Sequence, residues 1–344
     1  MGVDAARQHV SARRVDLGLA AHHPAELHDS PLGDPDVGHG RSRPRGHHSA
    51  PDHQIHAPIF AQVGRRVRPK ASTGGPLASL RTMSDLVTIS HDDTIAYEGR
   101  VTTITLANAA RRNTLAGPVM TAVIDALEDV SGSDSLGVII AAEGPAFSAG
   151  HDFTDMAGAG LADAQELFGI CERMMTLIQQ IPQVVIAQVQ GIATAAGCQL
   201  VASCDLAVAS DQALFQTPGG KGGLFCHTPM VAVARAIGRK KALEMALTGD
   251  PIDADTACAW GLVNRVVPHD ELEAATRDLM KRATRGSAYS KAQGKRTFYA
   301  QVEMDQGDAY AYAGAVMAAG VTTVDGQEGI ASFMEKRRAT WSNR

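Results

Sequence analysis

GPAFSAGHDF at residues 144–153 and ATAAGCQLVASCD at residues 193–205 decide how this chain reads. Each follows a short apolar run, GVIIAAEG (137–144) before the first and QVVIAQV (183–189) before the second. In the first, the small residues Ser148, Ala149 and Gly150 let the backbone turn tightly and leave the amide of His151 pointing outward. The second leads from a strand into a helix, so the first amides of that helix lack partners and sit at the positive end of its dipole. Two such amides converging on one point would polarise a carbonyl and stabilise an enolate or oxyanion. Either turn alone more often serves close packing of a helix on a strand. The pair, placed in successive strand–helix units, is far more specific.

Working outward, VTTITLA (101–107) alternates as a strand and LAGPVMTAVIDALEDVS (115–131) has helical apolar spacing. A second helix is predicted over roughly 162–181, and DLAVAS (205–210) reads as a further strand. Strands alternating with helices predict an α/β protein whose strands run parallel through right-handed crossovers. After residue 228 helices dominate, at about 229–237, 239–248, 253–260 and 270–284, with three or so more to the end. They must pack on the sheet or on another subunit.

The composition breaks sharply near residue 82. Residues 1–82 hold 9 of the 13 histidines and 8 of the 15 prolines. Their 11 Lys/Arg against 7 Asp/Glu leave the segment at +4 and the remainder at −9, within a total of −5. Runs such as HGRSRPRGHHSAPDHQIHAP have neither strand nor helix periodicity, so residues 1–82 read as a disordered extension, with ordered patterning beginning at Met83 as in an over-long gene model. Seven acidic residues weigh against a transit peptide, and the histidines lack regular metal-ligand spacing. The five cysteines are sparse and never spaced as CxxC, which predicts neither a disulfide framework nor a metal site and suits a reducing compartment, the cytoplasm or, in a eukaryote, the mitochondrial matrix. No apolar run approaches 18 residues, so no membrane span is predicted, and the mildly acidic total argues against nucleic acid as a partner.

Taken together, the two turns resemble the enoyl-CoA hydratase/isomerase superfamily, the crotonase fold. RRNTL (111–115) resembles that family's adenine-side loop, AFSAGHD its first oxyanion segment and AAGCQLVASCDLAVAS its second. FQTPGGKGGLF, ALEMALTGDPIDADTACAWGLVNRVVP (242–268) and DGQEGIASFMEKRRATW (325–341) follow at the family's spacing. The resemblance implies a ClpP-like fold of repeated ββα units over 83–270, a helical C-terminal region over 271–344 for oligomerisation, homotrimers or homohexamers, and a bound acyl-CoA. It implies no separate cofactor, since coenzyme A belongs to the substrate. Carried over residue by residue, it places the oxyanion amides at His151 and Ala196. Arg112, Asn113, Ala149 and Gly150 fall beside the coenzyme A, and Phe333 and Lys336 cover that of a neighbouring subunit.

One departure governs the chemistry. Family hydratases carry two glutamates, at the positions that are Gln199 and Gly219 here. Gln199 orients a water but neither accepts nor supplies a proton near neutral pH, and a glycine offers nothing. Both carboxylates would have to return together to restore hydration, and Gly219 carries the risk of a positive φ. His151 is the leading substitute, because its side chain leaves the residue whose amide is expected at the thioester oxygen. His227 and Cys226 in GLFCHTP are weaker candidates. SAGHD also resembles the methylmalonyl-CoA decarboxylase branch, but Phe225 stands where that branch has a tyrosine hydroxyl. Asp152 reads as a loop brace, Asp205 as a structural acid, and Glu143, Glu166 and Glu172 as strand-end or solvated residues. An acyl-CoA enzyme with atypical proton-transfer groups, an acyl-CoA binder without turnover and a purely structural partner are the three readings this leaves.

Overall fold

A computed structural model describes residues 86–97 and 99–343. The extension read over 1–82 lies outside the described residues. Among the described residues there are ten strands: β1 (Val87–Asp92), β2 (Arg100–Leu106), β3 (Ser135–Ala142), β4 (Ala146–Ser148), β5 (Val184–Val189), β6 (Ile192–Thr194), β7 (Leu206–Ser210), β8 (Leu214–Gln216), β9 (Ile252–Asp253) and β10 (Arg265–Val267). Among them run α1 (Gly117–Ser131), α2 (Phe153–Met156), α3 (Leu161–Gln180), α4 (Ala196–Ser203), α5 (His227–Ile237), α6 (Arg239–Thr248) and α7 (Ala254–Trp260). After the last strand come α8 (Leu272–Thr284), α9 (Ala288–Gln301), α10 (Gln306–Val321) and α11 (Val324–Met334).

Two sheets form. The larger has the order β1-β2-β3-β5-β7-β10 and the smaller the order β4-β6-β8-β9. The centre of the larger sheet is parallel, as the crossovers require, and β3 is buried along almost its whole length because helices cover both faces. The expectation of an all-parallel arrangement fails at two edges: β1 pairs antiparallel with β2, and β8 pairs antiparallel with β9. Only two or three residues long, β4, β6 and β9 are too short to show a period, so the sequence reads them as parts of turns.

Helix α1 starts with Pro118 in its first turn, where a missing N–H does no harm, and buries Val119, Met120, Val123, Ile124 and Leu127. With Met174 and Ile178 of α3 and Phe147 of β4, that face belongs to one continuous core. Helices α9 and α10, by contrast, bury no apolar residue. Among the described residues no helix is long and apolar enough to cross a membrane.

Candidate active site

Strands β4, β6 and β8 are parallel neighbours, so their carboxyl ends lie side by side. Residues 149–151, 195–197 and 217–219 leave these three ends, which brings both sequence-predicted turns and the Gly219 loop to one edge. The turns touch. Gly150 has φ +82°, and a Cβ there would lie 2.8 Å from the Thr194 carbonyl oxygen and 3.2 Å from the Ala196 nitrogen. A Cβ at Gly197 would collide with the Ser148 carbonyl oxygen and lie 2.8 Å from Ser148 Cβ. Both positions therefore need glycine for close approach, and Gly150 needs it for its backbone as well.

The convergence leaves amides without backbone partners on both turns, His151 on the first and Ala196 at the start of the second. Ala195, at φ +50°, donates its N–H to the Gln216 carbonyl at 2.9 Å, and α4 then begins at Ala196. Among the described residues neither the His151 nor the Ala196 amide donates to a carbonyl. The two amides before His151 are tied, Ala149 to the Arg112 carbonyl at 3.0 Å and Gly150 to Ser148 Oγ at 3.2 Å, whereas Gly197 and Cys198, next after Ala196 in the first turn of α4, are as free of backbone acceptors as Ala196 is. The turn itself is braced from residues 111–115. The Leu115 amide reaches the Gly150 carbonyl at 2.8 Å, and Ser148 Oγ donates to the Asn113 carbonyl at 2.8 Å.

His151 packs edge-on against Phe168 at 5.3 Å. Its Nδ1 lies 3.2 Å from the Leu115 carbonyl oxygen, a contact that requires the proton on Nδ1 and leaves Nε2 as an acceptor. Nε2 is buried without a partner. Burial holds the imidazole below its ordinary pKa, against weaker opposing effects from the Leu115 hydrogen bond and Asp155. Because the folded ring resists a proton that the unfolded chain accepts, the contribution of His151 to stability is full above the unfolded value of about 6.5 and is lost as pH falls from there through the lower folded value. Thermal midpoints measured from pH 7.5 down to pH 5 should fall less steeply in His151→Asn, whose amide still donates to Leu115. Parallel slopes in the two proteins would contradict a buried neutral imidazole.

Asp152 caps α2 and braces the loop. It accepts from the Thr154 amide and hydroxyl, from Thr114 Oγ1 and from Arg111 at 2.8 Å, and together these outweigh its burial and hold its carboxyl below the usual range. Gln199 is buried on α4 with Oε1 unpartnered, and the hydroxyl of Thr217, just beyond β8, is equally buried and unpartnered. Thr217 carries no sequence signal, because a lone threonine after a strand is unremarkable. Gly219 does not have a positive φ, so the backbone risk inferred from sequence falls away. The real obstacle is steric: a Cβ there would collide with the Leu224 carbonyl oxygen and lie 2.8 Å from Cys226 Sγ.

The remaining predicted residues divide. Arg112, with φ +53°, is exposed beside the His151 turn, whereas Asn113 is fully buried and donates Nδ2 to the Glu143 and Ala146 carbonyls at 2.8 Å. Asn113 thus holds the loop and cannot offer its side chain to a ligand. His227 opens α5, is exposed, and lies against Phe225 with ring centroids 5.1 Å apart. Cys226 is buried, accepts from the Gly219 amide at 3.3 Å, and burial pushes its thiol pKa up, which suits packing better than nucleophilic chemistry. Phe333 is 86% exposed on α11, which packs on α9 and α10, and Lys336 follows it. Neither covers the site within its own chain.

Two adjoining strand–turn units that present paired free amides on a double-sheet core define a crotonase-fold protein, and the chain belongs to the enoyl-CoA hydratase/isomerase family, whose model matches residues 96–344. The segments GHD, AAGCQLVASCD, GLFC and DGQEGI further resemble one branch of it, the enoyl-CoA hydratase domain-containing protein 3 type. The rat protein named enoyl-CoA hydratase domain-containing protein 3, mitochondrial, is 46% identical over 242 residues, which are 70% of this chain and 81% of that protein. A crystal structure of human enoyl coenzyme A hydratase domain-containing protein 3 superposes with a TM-score of 0.71 at 42% identity, covering 74% of this chain and all of that one. An enoyl-CoA hydratase structure from Mycobacterium smegmatis gives 0.71 at 41% identity, over 74% and 98% of the two chains.

Proposed function

We propose that this protein binds an acyl-CoA thioester, polarises its carbonyl between the amides of His151 and Ala196, and does not hydrate enoyl-CoA by the two-carboxylate route. The observation that carries the reading is the contact of Gly150 and Gly197 with the opposite turn, which sets two unpartnered amides on one edge. Preorganised amides of this kind act on the oxygen where charge develops. No carboxylate stands at 199 or 219, and the closed space at Gly219 leaves no room to supply one.

His151 is the group we assign to proton acceptance. Its ring is neutral at pH 7, its tautomer is fixed by Leu115, and its free Nε2 leaves the same residue as an oxyanion amide. An enolate-forming or decarboxylating step suits a neutral acceptor beside an oxyanion pocket. The decarboxylase variant of this reading remains the weaker one, since Phe225 brings no hydroxyl.

The exposed apolar residues of the C-terminal helices, among them Tyr310, Met317 and Phe333, support assembly into trimers or hexamers, in which Phe333 and Lys336 would cover a neighbour's coenzyme A. Light scattering of the full chain reads that assembly directly. The rat relative is named mitochondrial; to this chain we extend a reducing compartment, the cytoplasm or the mitochondrial matrix.

Incubating the purified protein with a panel of saturated, enoyl, 3-keto and malonyl-type CoA thioesters, with products identified by mass, tests the function. Crotonyl-CoA should be bound but hydrated roughly 10²–10⁴-fold more slowly than by a two-glutamate enzyme. Rapid hydration would contradict the reading.

A further inference from the structure

Ala195 holds a backbone conformation that suits glycine. Its φ of +50° and ψ of −113° lie outside the left-handed region that Arg112 occupies at φ 53° and ψ 36°, where non-glycine residues of positive φ are ordinarily found. Strain of this kind persists only where the surroundings over-determine it. Here they do. Thr194 is held in register opposite Gln216, the Ala195 amide donates to the Gln216 carbonyl at 2.9 Å, and the Ala195 carbonyl accepts from the Gln199 amide at 3.0 Å. Glycine would adopt these angles without the steric cost, and the chain places one two residues on, at Gly197, where contact with Ser148 demands it. Alanine at 195 therefore gives up stability that glycine would keep.

The place of the methyl shows what it does there. The peptide joining residues 195 and 196 is planar, so ψ of Ala195 sets the direction of the Ala196 N–H. For a residue with a Cβ, the relaxed alternatives lie at negative φ across a steric barrier, and the plane cannot drift toward them. Glycine has no such barrier, and its peptide rocks over a wide range. The methyl also faces the first turn. A Cβ at Gly150 would stand 3.1 Å from Ala195 Cβ and 3.2 Å from the Ala196 nitrogen, so the methyl lies between the two turns, beside the amide whose direction it fixes.

We propose that Ala195 is a positioning residue: its methyl locks the 195–196 peptide so that the Ala196 amide stays aimed at the thioester oxygen, and folded stability is given up for that aim. The proposal rests on the reading of the His151 and Ala196 amides as donors to that oxygen.

Ala195→Gly in the full protein tests it, with thermal midpoints, affinity for a saturated acyl-CoA, and the ¹³C chemical shift of that ligand labelled at its thioester carbonyl. In the parent, preorganised donors should displace the bound carbonyl resonance downfield of its position in water. Ala195→Gly should melt at the parent's midpoint or above it, because strain is relieved. It should nevertheless bind the thioester roughly two- to tenfold more weakly, the worth of one hydrogen bond, with a smaller carbonyl displacement. Ala195→Ser keeps a Cβ and should match the parent in affinity and displacement. An undiminished displacement in Ala195→Gly, a midpoint below the parent's, or an Ala195→Ser protein that behaves like Ala195→Gly overturns the proposal while leaving the reading of the amides intact. A parent whose bound carbonyl resonates where it does in water refutes that reading, and the proposal with it.

Discussion

The Gln199→Glu, Gly219→Glu variant is expected to fail to hydrate crotonyl-CoA, and Gly219→Glu alone to lose much of its folded stability. Sequence reasoning expects the opposite of the pair, that two returning carboxylates act as one catalytic unit. The structure reverses this because position 219 is occupied in space even though glycine has no side chain. The Leu224 carbonyl oxygen and Cys226 Sγ stand where a Cβ would go, and the Leu224 amide and Cys226 thiol both bond back to Gly219. A glutamate must unfold that turn, an overpacking cost of about 1–3 kcal/mol to which an unpaired buried carboxyl adds more. Gln199→Glu by itself buries a carboxyl with no cationic partner, so it stays protonated near neutral pH and cannot act as a base. Thermal midpoints and crotonyl-CoA hydration rates, measured on the three variants, check both parts. A double variant as stable as the parent that gains hydration by orders of magnitude would show that the acyl group is presented as in two-glutamate enzymes.

A second large effect is expected far from the chemistry. Lys295→Met should destabilise the fold by about 3–5 kcal/mol, because it leaves a buried carboxylate uncompensated. Lys295 Nζ sits 2.7 Å from Asp205 Oδ2 and also donates to the Ile178 and Gln183 carbonyls at 2.8 and 2.7 Å. Asp205 accepts further bonds from the Val185 amide and the Tyr299 hydroxyl at 2.7 and 2.8 Å. Burial raises the Asp205 pKa and lowers that of Lys295, so desolvation opposes the pair on both sides and only the complete network holds it. That network pins α9 to the end of α3 and the start of β5. Urea unfolding of Lys295→Met and the parent measures it. A loss under about 1 kcal/mol would place the pair among exposed ion pairs of little consequence.

What was legible in the sequence follows from range. The His151 and Ala196 turns could be read because glycine and alanine in a strand–helix junction are local signals, and the structure brings those turns into contact. Asp152 as a loop brace and Asp205 as a structural acid were readable for the same reason. The smaller sheet was not, since AFS and IAT are too short for periodicity and lie among small residues, AFS between Pro145 and Ala149 and IAT between Gly191 and Ala195. Nor was Lys295, which lies in AYSKAQGKRTFYAQ, a helix without an apolar stripe whose charged residue is buried by contacts more than a hundred residues away in sequence. Gly219 shows the same limit. The residue type was plain, but the carbonyl that excludes a side chain there belongs to the tertiary fold. Phe333 and Lys336 form no site within one chain, so their assignment rests on the family resemblance.

The most direct measurement is the infrared frequency of a ¹³C-labelled thioester carbonyl, in a saturated acyl-CoA that cannot be hydrated, free and bound to the full protein. If the His151 and Ala196 amides both donate to that oxygen, the carbonyl band moves to lower frequency on binding, and Gly150→Ala, which must displace the Thr194–Ala196 backbone, reduces the shift. A bound thioester whose carbonyl absorbs at the frequency found in water would contradict the oxyanion site.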